Sequence, residues 1–277
     1  MKDLVKKRVA GMNCAYGHYP FEYFLDSMVR VGLENIELWG GSPHFYPSDL
    51  SREQFSQKKR QIRSRELKLV CYTPEQVSYP VNIAAEEDYI RTRSLDYFTK
   101  SIQTAAELEA PLMVIVPGWG YLSQDKKPAW ERSRQGLTQL AREAKKLGVT
   151  LALEPLTTIS SNLINYTKEL GQMLDEVNEP ALKGMLDVGQ MSILNETVED
   201  YYHVLGEEGL VHVHMVDGNP TGHMAFGDGA LPLADYYSQI MKHGYRGHFS
   251  LEINDRKYFA QPEKAFRQSL DVMEQWL

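Results

Sequence analysis

Several features that mark common classes of protein are scarce in this chain. Only two of its 277 residues are cysteines, Cys14 and Cys71, and they form no CxxC motif. Disulfide scaffolds and thiolate metal sites need more thiols than this, so we expect both to be reduced, buried strand residues. No apolar run reaches the roughly 18 residues that suggest a membrane span, and the N-terminal MKDLVKKRVAG has no signal-peptide core. These absences predict a cytoplasmic protein with no membrane partner.

Basic charge and nucleotide-binding motifs are also lacking. The chain has 30 basic and 37 acidic residues, a formal net charge of −7. Because a nucleic acid normally binds a basic surface, this balance predicts no nucleic-acid partner. The sequence contains no Walker-type glycine loop and no GxSxG motif, which argues against a P-loop nucleotide site and a serine-hydrolase elbow.

Short apolar runs alternate with amphipathic segments along the whole chain, as strands and helices do in α/β proteins. Eight runs are predicted to be buried strands, at 8–14, 35–40, 68–74, 112–118, 150–156, 182–189, 210–217 and 248–253. Eight segments are predicted to be helices, at 20–31, 51–66, 86–108, 128–147, 166–177, 197–205, 233–243 and 263–277. Eight strand–helix units favour a (β/α)₈ TIM barrel, a single domain over residues 1–277. An open doubly wound sheet is the alternative.

Four ionisable residues stand in or just after the last four apolar runs. They are Glu154 in LALEPL, Asp187 in GMLDVGQ, His214 in HVHMVDG and Glu252 in HFSLEI. A charged group at the end of a buried strand is costly unless something pairs with it, and neighbouring strand ends of a barrel converge. A divalent metal is the simplest common partner. Three carboxylates and one imidazole suit Mn²⁺ best, with Mg²⁺, Co²⁺ or Zn²⁺ possible.

Two of these ligands, Glu154 and Glu252, also suit acid–base catalysis. A metal that chelates a carbonyl and its neighbouring hydroxyl acidifies the carbon-bound proton and stabilises an enediolate. One glutamate can then remove a proton and the other return it. Action on one carbon from opposite faces gives epimerisation, whereas transfer between adjacent carbons gives aldose–ketose isomerisation. A purely structural metal is the bland alternative.

Loops after the strands supply the predicted contacts to a small sugar substrate. Aromatic rings next to flexible backbone suit the apolar face of a sugar, although a loop tryptophan is more often packing. The predicted substrate-binding residues are Trp39, His44, Glu75, Trp119, Asn162, Gln190, Asp217 and His223. His212, on the same strand face as His214, is predicted to support the ligands or the core.

The order Glu, Asp, His, Glu on strands five to eight resembles the xylose isomerase-like TIM-barrel superfamily. Within it the chain looks like the ketose 3-epimerases, and among these like the fructoselysine 3-epimerases. The similarity lies in IELWGGSPHFYPSDL (36–50), YTPEQVSYPVN (72–82), GYL (120–122), LEPLT (153–157) with Asn162, and HVHMVDG (212–218). The resemblance implies that Glu154, Asp187, His214 and Glu252 bind Mn²⁺ or a similar ion. It also implies that Glu154 and Glu252 form the acid–base pair and that the protein is a homo-oligomer.

Three positions depart from the tagatose and psicose 3-epimerase pattern. Ser160 stands where that branch has a glutamate, Gln190 where it has a histidine and Pro220 where it has an arginine. In that branch the three residues grip the C1–C3 end of a free ketose. Their replacement predicts a ketosamine or another modified sugar. Ser160 also departs from the fructoselysine branch.

Four other functions fit parts of the pattern. An inosose-type dehydratase and an aldose–ketose isomerase use the same metal-enolate chemistry. An apurinic endonuclease shares the barrel but needs more histidine ligands on early strands, where only His18 and His44 occur. A non-catalytic sugar-binding module would not need two matched glutamates.

Overall fold

The structure, a computed structural model, describes residues 7–76 and 80–276. Eight strands close into one barrel in chain order, and each pairs in parallel with its neighbours. They are β1 (Val9–Met12), β2 (Asn35–Gly40), β3 (Lys68–Pro74), β4 (Leu112–Ile115), β5 (Thr150–Leu153), β6 (Leu182–Asp187), β7 (Leu210–His214) and β8 (Phe249–Leu251). The predicted (β/α)₈ TIM barrel is confirmed, and the open sheet is wrong. That residues 1–277 form one domain stays a prediction.

Helices follow the strands and pack their apolar faces against the barrel. They are α1 (Phe21–Val31), α2 (Arg52–Arg63), α3 (Asp88–Glu107), α4 (Lys127–Leu147), α5 (Thr167–Val177), α6 (Val188–Ile193), α7 (Val198–Gly209), α8 (Leu233–Lys242) and α9 (Pro262–Met273). Short 3₁₀ turns lie at Cys14–Tyr16, Arg256–Tyr258 and Glu274–Trp276. Among the described residues, no helix combines the length and apolar character needed to cross a bilayer.

The predicted helices match this set apart from their ends and one addition. The short α6 was not predicted, because six residues carry too little periodicity to recognise. Leu277, the end of the last predicted helix, and residues 77–79 of the loop after β3 lie outside the described residues. α1 and α4 end at Gly32 (φ 83°) and Gly148 (φ 71°), left-handed positions that suit glycine and turn the chain towards the next strand.

Six of the eight predicted strands run too far at their carboxyl ends, whereas β2 and β3 match their predicted bounds. The run 112–118 becomes β4 at Leu112–Ile115, and the run 150–156 becomes β5 at Thr150–Leu153. Val116, Leu156 and Val216 follow their strands and are buried in the loops at the barrel mouth. Because these loop residues are also buried, the sequence stays apolar beyond the last hydrogen-bonded residue of these strands, and these predicted strands are too long.

A small cluster of buried apolar residues comes from β1, β3, β4, β5 and β6, and two of its members, in β5 and β6, precede predicted ligands. Its buried members are Ala10, Val70, Cys71, Val114, Ala152 and Met185. Ala152 is two residues before Glu154, and Met185 is two residues before Asp187. Since side chains two apart on a strand share a face, this cluster forms an apolar layer beneath the charged one.

Candidate metal centre and active site

The carboxyl ends of β5 to β8 bring the four predicted ligands to one side of the barrel mouth. Glu154 and Glu252 directly follow β5 and β8, whereas Asp187 and His214 are the last residues of β6 and β7. Ligand atoms of Glu154, Asp187 and His214 all lie within 4.8 Å of one another, and all three residues are buried. Glu252 is outside that group of three, but its Oε2 lies 3.1 Å from Nδ1 of His214.

Two atoms in this cluster make no hydrogen bond although they are buried. They are Oδ2 of Asp187 and Nδ1 of His214, which lie 3.9 Å apart. Oδ1 of Asp187 accepts a hydrogen bond from the backbone N–H of Gln190 at 2.7 Å and so caps α6. One oxygen of Asp187 thus fixes the side chain, and the other is left for a ligand. A buried polar atom without a partner is costly, and a divalent cation would satisfy both atoms.

The carboxyl groups of the centre lie in contrasting electrostatic environments. Burial raises the pKa of Glu154 to about 8, with repulsion from Glu252 and Asp187 adding to the effect of burial. Burial likewise raises the pKa of Asp187. Burial would also raise the pKa of Glu252, but His223 and His214 outweigh it and hold that pKa below its usual range. Without a cation, Glu154 and Asp187 are therefore harder to ionise than ordinary carboxyl groups, whereas Glu252 is easier to ionise.

A further carboxylate, Glu37 of β2, lies on the far side of His214. Oε1 of Glu37 is 3.0 Å from Nε2 of His214, and its Oε2 is 2.7 Å from Nε2 of His212. Thr73 also donates its hydroxyl hydrogen to Oε1. Burial would raise the pKa of Glu37, but the two histidines outweigh it and hold that pKa well below its usual range. His212 therefore contacts the carboxylate behind His214, and its supporting role stays a prediction.

Glu37 and Thr73 were not predicted as site residues from the sequence. The signal for Glu37 was available, because a carboxylate inside the apolar strand NIELWG carries the same burial cost that singled out Glu154 and Asp187. Glu37 lies within β2 and not at its end, whereas the predicted ligands were sought at the carboxyl ends of the strands.

A cavity of about 330 Å³ opens above the centre. This volume is in the range of small-molecule sites, roughly 300–1,000 Å³. No Lys or Arg is among the described residues that line it, which are Cys14, Trp39, Thr73, Pro74, Glu75, Gln76, Glu154, Leu156, Ser160, Gln190, His214, His223, Glu252 and Asn254. Cys14 and Cys71 are both free and buried, although Cys14 lies in a 3₁₀ turn and not in a strand.

Four of the predicted substrate contacts line this cavity. The indole N–H of Trp39 donates to Oε2 of Glu75 at 3.1 Å, which fixes both side chains in one wall. Gln190 accepts from the backbone N–H of Thr157 at 2.8 Å. His223 lies beside Glu252, with 3.4 Å between its Nδ1 and the carboxylate Oε2.

His44 and Asp217 do not line the cavity. His44 is buried, with Nε2 2.7 Å from the carbonyl oxygen of Tyr19 and Nδ1 3.1 Å from Nδ2 of Asn13. The carboxylate of Asp217 accepts backbone hydrogen bonds from Gly218, Gly227, Gly229 and Leu231. These contacts give both residues a role in holding loops.

Trp119 and Asn162 line a separate groove that adjoins the cavity at Ser160, a residue common to both. Oδ1 of Asn162 accepts from the backbone N–H of Gly120 at 2.9 Å. The amide of Asn82 binds the backbone N–H and carbonyl of Trp119 at 3.1 and 2.9 Å. The loop is therefore pinned, while the Trp119 side chain stays 41% exposed.

Fold and site together define a (β/α)₈ barrel with a buried, oxygen-rich cluster fit for a divalent cation at its carboxyl-terminal mouth. The chain belongs to the xylose isomerase-like TIM barrel family, whose pattern matches residues 25–276.

Several proteins and structures that resemble this chain are named as sugar epimerases. The chain is 31% identical to fructoselysine 3-epimerase of Shigella flexneri over 93% of its length and 94% of the relative's. The crystal structure of D-psicose 3-epimerase with D-tagatose from Clostridium cellulolyticum H10 has a TM-score of 0.81 at 19% identity, covering 97% of this chain and 98% of that one. A 3-keto-D-glucoside 4-epimerase from E. coli also has a TM-score of 0.81, at 18% identity, covering 97% and 99%. At these identities the two structures establish the fold.

Proposed function

We propose that this protein is a divalent-metal-dependent isomerase that epimerises a ketose at C3. The observation that carries this proposal is a pair of glutamates on non-adjacent strand ends that flank one cavity. Glu154 follows β5 and Glu252 follows β8, and both line the cavity beside His214. The name of the 31% identical relative, fructoselysine 3-epimerase, supports the same reaction.

Glu154, Asp187, His214 and Glu252 would hold the ion. A bound divalent cation would supply Lewis-acid polarisation of the substrate carbonyl. The two glutamates would carry the proton: one takes the C3 proton, leaving an enediolate, and the other delivers a proton to the opposite face. The hydrogen bond from Gln190 N–H to Asp187 keeps the supporting carboxylate fixed during this exchange.

We propose an unphosphorylated, amine-linked ketose, of the kind named for the relative, as the substrate. The described lining includes no Lys or Arg to bind a phosphate, but it includes the carboxylate of Glu75. A carboxylate in the wall favours an ammonium group on the substrate. The groove beyond Ser160 has room for a substituent larger than the sugar itself.

The test is deuterium incorporation. The Mn²⁺-loaded protein is incubated in D₂O with fructose, psicose, tagatose or fructoselysine, and the sugars are analysed by NMR. We expect deuterium at C3 of the amine-linked sugar together with its C3 epimer. Label at C1 or C2 would indicate aldose–ketose isomerisation, label at C4 a 4-epimerase, and loss of water a dehydratase. Absence of exchange with metal bound would contradict the proposal.

Three further properties are proposed with it. Mn²⁺ is the preferred ion, tested by metal analysis of the purified protein against Mg²⁺, Co²⁺ and Zn²⁺. The protein is a homo-oligomer, tested by light scattering during gel filtration. It acts in the cytoplasm, tested by cell fractionation.

Four of the predicted substrate contacts are proposed as indirect or peripheral contributors, because they do not line the cavity. They are His44, Trp119, Asn162 and Asp217.

A further inference from the structure

Glu37 is the most deeply placed carboxylate near the centre, and the acid–base proposal does not use it. Its side chain is fully buried, and three donors surround it: the rings of His212 and His214 and the hydroxyl of Thr73. Because β2 and β7 are separated by β1 and β8 around the barrel, these contacts cross the barrel interior.

Irregular strand registers accompany this contact on both sides. Between β2 and β3 the register shifts between Ile36 and Glu37. Between β6 and β7 it shifts between Gly184 and Met185, and Met185 is the residue paired with His212. A one-residue shift reverses the face on which side chains lie, and such irregularities re-aim side chains near active sites. The unpaired residue is Val70 of β3 beside Glu37 in the first shift and Val211 of β7, directly before His212, in the second.

The contact fixes which ring nitrogen of His214 meets the centre. A carboxylate only accepts hydrogen bonds, so Nε2 of His214 carries the hydrogen that faces Glu37 at 3.0 Å. Nδ1 is then the nitrogen near the other acids, 3.1 Å from Oε2 of Glu252 and 3.9 Å from Oδ2 of Asp187, without a hydrogen bond. A carboxylate behind a histidine ligand is a common device for orienting metal-binding imidazoles.

We infer that Glu37 is a positioning residue for the metal centre: it holds the His214 ring so that Nδ1 faces the ion, and His212 and Thr73 hold Glu37 in turn. This inference rests on the metal site of the proposed function. Glu37 does not itself line the cavity, although it contacts Thr73 and His214, which do.

The same residues could be mistaken for a second cation site, because ligand atoms of Glu37, His212 and His214 lie within 4.8 Å of one another. Both oxygens of Glu37 already accept hydrogen bonds from the two rings. The hydrogen-bonded arrangement therefore predicts one ion for each chain and not two.

The test measures Mn²⁺ binding, with no need for a substrate. Glu37→Gln keeps the shape of the side chain, but its amide has one acceptor oxygen, so one of the two rings loses its partner. We expect Mn²⁺ affinity to fall roughly 10- to 100-fold, the usual effect of removing such a support. Free Mn²⁺ is measured by electron paramagnetic resonance, and the ligand geometry by the visible spectrum of the Co²⁺-loaded protein, which we expect to change.

Glu196→Gln is the matched control. Glu196 accepts hydrogen bonds from the backbone N–H and hydroxyl of Thr167 and does not line the cavity. Its removal should leave Mn²⁺ affinity and the Co²⁺ spectrum unchanged, whatever it does to the melting temperature. His212→Leu is the second variant, used where Glu37→Gln fails to fold. It removes the ring N–H that Glu37 accepts and leaves both His214 and Glu37 in place, and we expect a smaller loss of affinity.

Unchanged Mn²⁺ affinity and an unchanged Co²⁺ spectrum in folded Glu37→Gln would overturn the inference. So would two ions bound per wild-type chain, one of them lost in the variant, since Glu37 would then be a ligand. A wild-type protein that binds no divalent ion would instead contradict the proposed metal site itself.

Discussion

The two halves of the barrel mouth differ in the side chains at their strand ends. The half formed by β5 to β8 ends in Glu154, Asp187, His214 and Glu252, all drawn to one small cluster. The half formed by β1 to β4 contributes Trp39, Glu75 and neighbouring loop residues to the cavity wall. Gln190 and His223 of the β5–β8 half also line the cavity, so the two halves differ in their proposed metal ligands, which all come from β5 to β8, while both halves supply its wall.

Glu37 is the exception that connects the halves. It belongs to β2, in the β1–β4 half, yet its contacts are with the histidines of β7. The β5–β8 half is therefore not self-sufficient, because His214, one of its proposed ligands, is hydrogen-bonded from across the barrel.

The largest effect should follow loss of either glutamate in the β5–β8 half. Glu154→Gln and Glu252→Gln each remove a ligand charge and a proton carrier, so we expect kcat to fall at least about 1,000-fold. The measurement is the rate of C3 deuterium exchange, with circular dichroism to verify folding. The control is Glu179→Gln, since Glu179 pairs with Arg142 away from the cavity and its loss should leave the rate unchanged. Full activity in either glutamate variant would contradict the two-glutamate mechanism.

Removal of the metal from the β5–β8 half should abolish turnover but leave the barrel folded. A protein stripped with a chelator should lose exchange activity and melt at a lower temperature. Mn²⁺ at 100 times its dissociation constant should restore about 2.7 kcal/mol of stability by mass action. Differential scanning calorimetry with and without Mn²⁺ measures this. Stripped protein that keeps its full rate, with metal analysis confirming that it is metal-free, would show that no ion is needed.

The sequence predicted the β5–β8 half better than the β1–β4 half, for a physical reason. Glu154 and Asp187 stand out because an ionisable group at the end of an apolar run has a burial cost visible in the sequence itself. Trp119 and His44 are aromatic loop residues, and their positions depend on loop conformations that the sequence pattern does not encode. His44 is consequently buried, where it contacts Asn13 and Tyr19, and does not reach the cavity.

The fold itself was predictable because eight apolar runs with intervening amphipathic segments leave few other architectures. The register shifts beside Glu37 and Met185 were not, because they depend on how neighbouring strands fit together. The buried carboxylate of Glu37 could be inferred from NIELWG, but its contact with His214 across the barrel is visible only in the structure.

A smaller effect, confined to substrate choice, should follow change in the β1–β4 half. Glu75→Gln keeps the hydrogen-bond acceptor for Trp39 but removes the charge in the wall. For an ammonium-bearing ketose we expect kcat/KM to fall roughly tenfold, since a charge-assisted hydrogen bond contributes about 1.5–3 kcal/mol. For a neutral ketose we expect little change. The measurement is kcat/KM for fructoselysine and fructose side by side, and an equal loss for both sugars would argue against an ammonium contact.

The smallest effect should come from the groove beyond Ser160, which is separate from the cavity lined by Glu154 and Glu252. Trp119 is 41% exposed and meets Tyr121 edge to face at 6.0 Å, a preformed apolar surface for a substrate substituent. Trp119→Ala should raise KM for a ketosamine with an alkyl chain by roughly three- to fivefold, less than the full burial of one aromatic ring would give. Leu147→Ala is the control: Leu147 is 44% exposed at the end of α4, just before β5 begins and so at the opposite end of the barrel. KM should rise only in the Trp119 variant and only for the sugar with the alkyl chain, and kcat should not change. The reason is that a remote substituent is bound equally well in the ground and transition states, and loss of such binding alters KM alone.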